Sequence, residues 1–182
     1  MRTRTNYLFA AVLLIAALLA GCSGGKTPAP ATPGEVKGET YDAGQVSALV
    51  PEGWKAFPTT DVFDEYEGDY DPNAFSIYKG AQSEWDQLAK PGITITRMDT
   101  ASFVSAKDWY DDVKDIEVAP IGSYTCTGYT GTSLVDYPYT VIEMVDGDTT
   151  VQVAILTESN GEKIALEDAD VQAILASIKT AR

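Results

Sequence analysis

The chain has 182 residues, 45% of them hydrophobic and 22% charged, a composition suited to a globular protein with one buried core. Its 27 Asp and Glu against 13 Lys and Arg give a formal charge of −14, which repels nucleic acid and anionic lipid headgroups. There is no histidine, which excludes Ser-His-Asp and Cys-His catalysis, His-ligated zinc and an imidazole pH switch, and two cysteines, Cys22 and Cys126, are too few for a cysteine-held zinc or iron–sulfur site.

In chain order, residues 1–7 carry Arg2 and Arg4 and no acid, and residues 8–20 form an apolar run without a charge. That run is well short of the ~20 residues a spanning helix needs, so it reads as the core of an export signal. It ends in Leu19-Ala20-Gly21-Cys22. Small residues suit a signal-peptidase cleft, and the Cys22 thiolate is the nucleophile that diacylglycerol transfer requires. Leu-Ala-Gly-Cys at this position resembles the lipobox of bacterial lipoproteins. The resemblance implies a signal peptide over 1–21, lipidation of Cys22, and a protein held on the extracytoplasmic face of the cell membrane. Two acyl chains anchor firmly, at ~0.8 kcal/mol per buried methylene. Residues 22–38, rich in Pro, Gly and Thr, read as a flexible tether, and 39–182 as one domain.

Within 39–182 the patterning predicts strands at 45–50, 74–78, 93–98 and 124–130. A hairpin is expected from 139–145 and 149–156 around Asp146-Gly147-Asp148, and a second turn at Asn160-Gly161 with a return strand over 162–166. Ala106, Trp109, Tyr110 and Val113 fall at helical spacing, predicting a helix over 105–114 with Ser105 and Asp108 as an imperfect capping box and Trp109 and Tyr110 on a core stripe. A closing helix is marked by Val171, Ile174, Leu175 and Ile178, with Asp168 and Asp170 at its start and Lys179 and Arg182 at its end. The element order predicts an α+β fold: a mostly antiparallel central sheet with helices packed on it.

Val50-Pro51-Glu52-Gly53-Trp54, the 139–156 hairpin and the ending Ile174-Leu175-Ala176-Ser177-Ile178-Lys179 together resemble small bacterial lipoproteins of the PsbP-like group. The resemblance implies an α/β/α sandwich and a protein-binding role, and it carries no catalytic residue.

Four features bear on chemistry. The acidic stretch 61–73 holds Asp64, Glu67, Asp69, Asp71 and Asn73, oxygen donors of the kind calcium takes. Asp69, Asp71 and Asn73 occupy the first three ligand positions of an EF-hand loop. Ala74 then stands where that loop needs glycine and Gly80 where it needs a bidentate glutamate, so it is no EF-hand. An irregular calcium site and a solvated acidic loop are the two readings. Trp85, set among Gln82, Ser83, Glu84, Asp86 and Gln87, reads as a surface contact residue. Tyr124, Tyr129, Tyr137 and Tyr139 suit either sheet packing or an aromatic groove. Cys126 lies in an alternating strand with no basic neighbour in sequence, as a buried, unreactive thiol would.

The expectation is a lipid-anchored, non-enzymatic module that binds an envelope protein and no nucleic acid. The alternatives are a small-ligand or calcium-binding lipoprotein and, more weakly, a carboxylate-dependent hydrolase. Cys22→Ser is expected to accumulate as an unprocessed or soluble form. Membrane fractionation checks this, and a mutant that partitions like the wild type removes the anchor.

Overall fold

A computed structural model describes residues 36–60 and 70–181. The signal segment, Cys22, most of the tether, and Asp64, Glu67 and Asp69 lie outside the described residues. The strands are β1 (Gly38–Asp42), β2 (Val46–Pro51), β3 (Trp54–Thr60), β4 (Tyr70–Lys79), β5 (Gly92–Asp99), β6 (Asp111–Ile116), β7 (Thr125–Thr132), β8 (Pro138–Asp146), β9 (Thr149–Leu156), β10 (Glu158–Ser159), β11 (Glu162–Lys163) and β12 (Lys179–Thr180). One α-helix, α1 (Ala169–Ser177), precedes β12.

Seven strands form an antiparallel sheet in the order β3-β4-β5-β9-β8-β7-β6, and β1-β2-β12 form a second, three-stranded antiparallel sheet. Residues alternate between the two faces of the large sheet, as the pleat requires. Phe75, Ile95, Val153 and Ile142 stand in register across four strands on the inner face, with Ile77, Ile93 and Ile155 forming a parallel row. All are fully buried. Ser76, Thr94, Ala154, Val141 and Tyr129 make the equivalent row on the outer face.

The three-stranded sheet and α1 cover the inner face. Val46 and Ala48 of β2 and Val171, Ile174 and Leu175 of α1 join the same core as the isoleucine rows. The sequence motifs at both ends of the domain hold this layer. Trp54 is buried, and its Nε1 donates to Asp170 Oδ2 at 3.0 Å in the first turn of α1. At the other end, Ser177 Oγ accepts from the Leu49 amide at 2.7 Å and donates to the Ile174 carbonyl at 2.7 Å.

The structure corrects the α+β expectation: this is a largely β fold with one α-helix of nine residues among the described residues. Helices do not cover both faces, so the α/β/α sandwich does not hold. The decisive difference is at 105–114. Only Ala106–Trp109 turns, as a 3-10 helix, and the chain then extends into β6. An edge of β7 with unmet hydrogen-bonding groups outweighs four apolar positions at helical spacing. Asp111 pairs Thr132 and Lys114 pairs Thr130, with a register shift between them where Asp112 takes φ 52°. Trp109, read as core, is therefore exposed.

Other strands fall where the alternation predicts them, and the 139–156 hairpin is met as β8 and β9. The return strand after Asn160-Gly161 shortens to β11, and the closing helix ends at Ser177, short of Lys179 and Arg182. Strands β1, β3 and β12 had no clear alternating signal.

Ile174→Ala is expected to destabilise the protein by about 2–5 kcal/mol, since the side chain is fully buried between layers. Trp109→Ala, by contrast, should fall within about 0.5 kcal/mol of the wild type. Denaturant unfolding of both variants checks the pair.

Candidate functional site

The outer face is covered by a strap, the connection from β5 to β6. Because β6 lies at the far edge, residues 100–110 must cross β9, β8 and β7 to reach it. The strap is pinned at its start by Thr100, whose amide donates to the Asp148 carbonyl at 2.9 Å and whose hydroxyl donates to the Gly147 carbonyl at 3.2 Å. Further along, the Ser105 hydroxyl donates to Glu143 Oε1. Ser105 also accepts from the Lys107 amide at 3.4 Å, so the predicted cap residue does cap, but over a single 3-10 turn.

Glu143 is the one buried acidic or basic residue among the described residues. Its second oxygen accepts from the Thr127 hydroxyl at 3.5 Å. Lys107 spans the Tyr129 ring at 5.3 Å and pairs with Asp115 at 2.5 Å. Asp115, aided by Glu143, holds the Lys107 ammonium above the usual lysine range. Tyr129 is fully buried, and its hydroxyl finds no well-formed hydrogen bond. Burial first, and the Glu143 charge second, push its pKa up to about 12, while the nearby Ser105 hydroxyl pulls the other way. Tyr110 closes over it edge-on at 6.0 Å and meets Tyr139 at 5.4 Å. Burial raises the pKa of both Tyr110 and Tyr139.

Between the strap and the β7–β8 turn lies a cleft of about 540 Å³, lined by Met98, Val104, Ser105, Trp109, Tyr110, Ser133, Leu134, Val135, Tyr139 and Gln152. The turn is self-supporting. The Ser133 amide donates to the Tyr137 carbonyl at 2.8 Å, and Asp136 takes φ 62°. That geometry holds Leu134 and Val135 outward. Val104, Trp109, Leu134 and Val135 are 79%, 78%, 85% and 70% exposed. Four large apolar side chains face water around one cleft and bury little on folding, and such patches mark interaction sites. Leu134 and Val135 escaped the sequence reading, which placed Trp109 on a core stripe. The signal available was the Leu-Val pair in the middle of a turn, where polar residues are usual.

The residues singled out from sequence disperse. Trp85 lies on the 3-10 helix Glu84–Leu88, 81% exposed beside Leu88 at 76%. That helix borders the outer face as well: Glu84 and Gln87 line a hollow of about 480 Å³ with Ser76 and Thr94. Asp71 and Asn73 sit at the start of β4, where Asp71 Oδ1 accepts from the Asn73 amide at 2.8 Å and its side-chain nitrogen at 3.1 Å. Among the described residues no group of three acidic or cysteine side chains could hold a metal ion. Of the tyrosines, Tyr124 is buried in the inner core, Tyr129 under the strap, and Tyr139 lines the cleft. Cys126 is half-buried on β7, and burial raises its thiol pKa. No helix among the described residues is long and apolar enough to cross a membrane.

A tyrosine whose pKa is raised on folding stabilises the fold fully below the unfolded value near 10, and loses that contribution as pH rises through the folded value. The domain is therefore expected to lose stability between about pH 10 and 12. Tyr129→Phe should reduce that loss at little cost at neutral pH, because it removes a buried hydroxyl without a partner. Thermal melts from pH 8 to 12 check both.

No protein-family model matches this chain, and no curated protein matches it. Eleven chains of solved structures match. One, a protein from Bacteroides thetaiotaomicron, is 12% identical with a TM-score of 0.43, over 80% of this chain and 49% of that one. This chain thus spans about half the length of that neighbour.

Proposed function

We propose that the chain is a lipid-anchored protein of the extracytoplasmic membrane face, and that its folded part is a non-enzymatic binding module for another envelope protein. The observation that carries this reading is the exposed apolar rim of Val104, Trp109, Leu134 and Val135 around the outer-face cleft. Apolar side chains that bury nothing in the free protein are available to a partner, and fully burying each contributes ~1.5–3 kcal/mol. An aromatic anchor among aliphatic neighbours is the usual centre of a binding hot spot. The anchor rests on Leu19-Ala20-Gly21-Cys22, and residues 22–38 give the domain reach from the bilayer.

A second reading has one observation in its favour. Ser105, Ser133 and Gln152 bring polar groups into the cleft, and its volume lies in the range of small-ligand sites. A photo-crosslinking amino acid in place of Leu134, introduced in intact cells, separates the two. The expected result is one stoichiometric protein adduct that a probe at exposed Lys179 of β12 does not form and that Trp109→Ala abolishes. No protein adduct at position 134 overturns the protein-binding reading and leaves the small-ligand one.

A further inference from the structure

The chain enters its folded part at one particular end of the sheets. The Glu52 amide donates to the Lys37 carbonyl at 2.9 Å, and the Gly80 amide donates to the Gly53 carbonyl at 2.8 Å. Two backbone hydrogen bonds thus tie the start of β1 to the β2–β3 turn, and that turn to the β4–β5 connection. The connection carries Trp85 and Leu88, 81% and 76% exposed. Trp109, Leu134 and Val135 lie at this end as well. Tyr78, Gly92, Leu156, Tyr139 and Gly131 are level across the large sheet, and the β7–β8 turn is just beyond them. At the opposite end, β5 and the β8–β9 turn expose Asp99, Asp146, Gly147 and Asp148.

Trp85 and Leu88 project as a fixed pair. A 3-10 helix completes a turn in three residues, so the two side chains eclipse on one side of Glu84–Leu88. Asp86 Oδ2 accepts from the Gln82 and Ser83 amides at 2.7 and 2.9 Å, and Asn160 Nδ2 donates to the Ala89 carbonyl at 2.9 Å. The helix is therefore held at both ends. Charge around the pair is of both signs: Glu84 and Asp86 stand against Lys90 and against Lys55, whose ammonium donates to the Gln82 carbonyl at 2.7 Å. An apolar pair amid mixed charge suits a zwitterionic headgroup layer, where tryptophan concentrates because its ring is apolar and its N–H polar. The chain's formal −14 disfavours an anionic layer. Residues 22–37 join Cys22 to β1 and reach no more than about 55 Å. A lipidated Cys22 therefore keeps this end of the fold at high local concentration next to the bilayer.

We propose that the end of the fold at which the tether enters rests on the bilayer that carries the anchor, with Trp85 and Leu88 seated in its zwitterionic headgroup layer. This rests on the lipid-anchor part of the reading above and leaves the cleft rim to the protein partner.

The test uses the lipidated full-length protein in phosphatidylcholine vesicles with bromine high on the acyl chains, which quenches a tryptophan only at contact. Trp109→Phe removes the tryptophan of the rim, and Trp54 is buried in the core, so quenching then reports Trp85. Quenching is expected in Trp109→Phe, is expected to vanish when Trp85→Phe is added, and is expected to fall when Leu88→Ala is added instead. Asp148→Trp, in the protein lacking Trp85 and Trp109, should stay unquenched at the opposite end. All the replaced side chains are exposed, so the variants should fold. No quenching beyond that of the protein lacking Trp85, equal quenching at position 148, or no loss with Leu88→Ala overturns the proposal. So does a protein adduct from a photo-crosslinking residue at position 88 in intact cells. Vesicle flotation separates this from the anchor. Protein that floats unquenched keeps the anchor and loses the docking, and protein that does not float loses both.

Discussion

A seven-stranded sheet has two faces, and this chain covers them unequally. The three-stranded sheet and α1 complete a dry core on one side, where Phe75, Ile77, Ile93, Ile95, Ile142, Val153 and Ile155 are fully buried. The other side receives only a strap. Its rows accordingly carry Ser76, Thr94, Thr96, Gln152 and Glu143, residues that tolerate water or find hydrogen bonds. The position of the cleft and the exposure of its rim follow from this inequality.

The strap exists because of strand order. β5 lies in the middle of the large sheet and β6 at its edge, so the chain has to travel across the outer face. The crossing has only two short 3-10 turns, Thr100–Ser102 and Ala106–Trp109, and it is held by side chains: Thr100 at the β8–β9 turn, Ser105 on Glu143, and Tyr110 between Tyr129 and Tyr139. Burying Glu143 carries a desolvation penalty that two hydroxyls and the neighbouring Lys107 offset. The return is a fixed strap path, and a fixed path lets Val104 and Trp109 face Leu134 and Val135 across a defined gap.

The inner layer shows the opposite economy. Residues that look like mere punctuation in the sequence tie the helix down. Trp54, after the Pro-Glu-Gly turn, hydrogen-bonds Asp170, and Ser177 in the closing helix receives the Leu49 amide of β2. These bonds lie at opposite ends of α1 and tie it to the inner layer, so the exposed apolar rim lies on the opposite face of the large sheet.

The sequence by itself determined the strands whose side chains alternate strongly, such as 93–98 and the 139–156 hairpin, because period-two patterning is a local property. It also located the terminal helix, whose stripe of Val171, Ile174 and Leu175 needs no neighbour to be recognised, and it singled out Trp85 as a residue too polar in context for a core. Only the tertiary structure decided the fate of 105–114, since the choice between helix and strand there depended on a vacant edge of β7 more than fifteen residues away. The same holds for the cleft. Trp109, Leu134 and Val135 are distant in sequence or embedded in misleading local patterns, and strand order alone brings them to one rim. Periodicity reports which side of an element is apolar. Whether that side is covered depends on what else the chain has left to place on it.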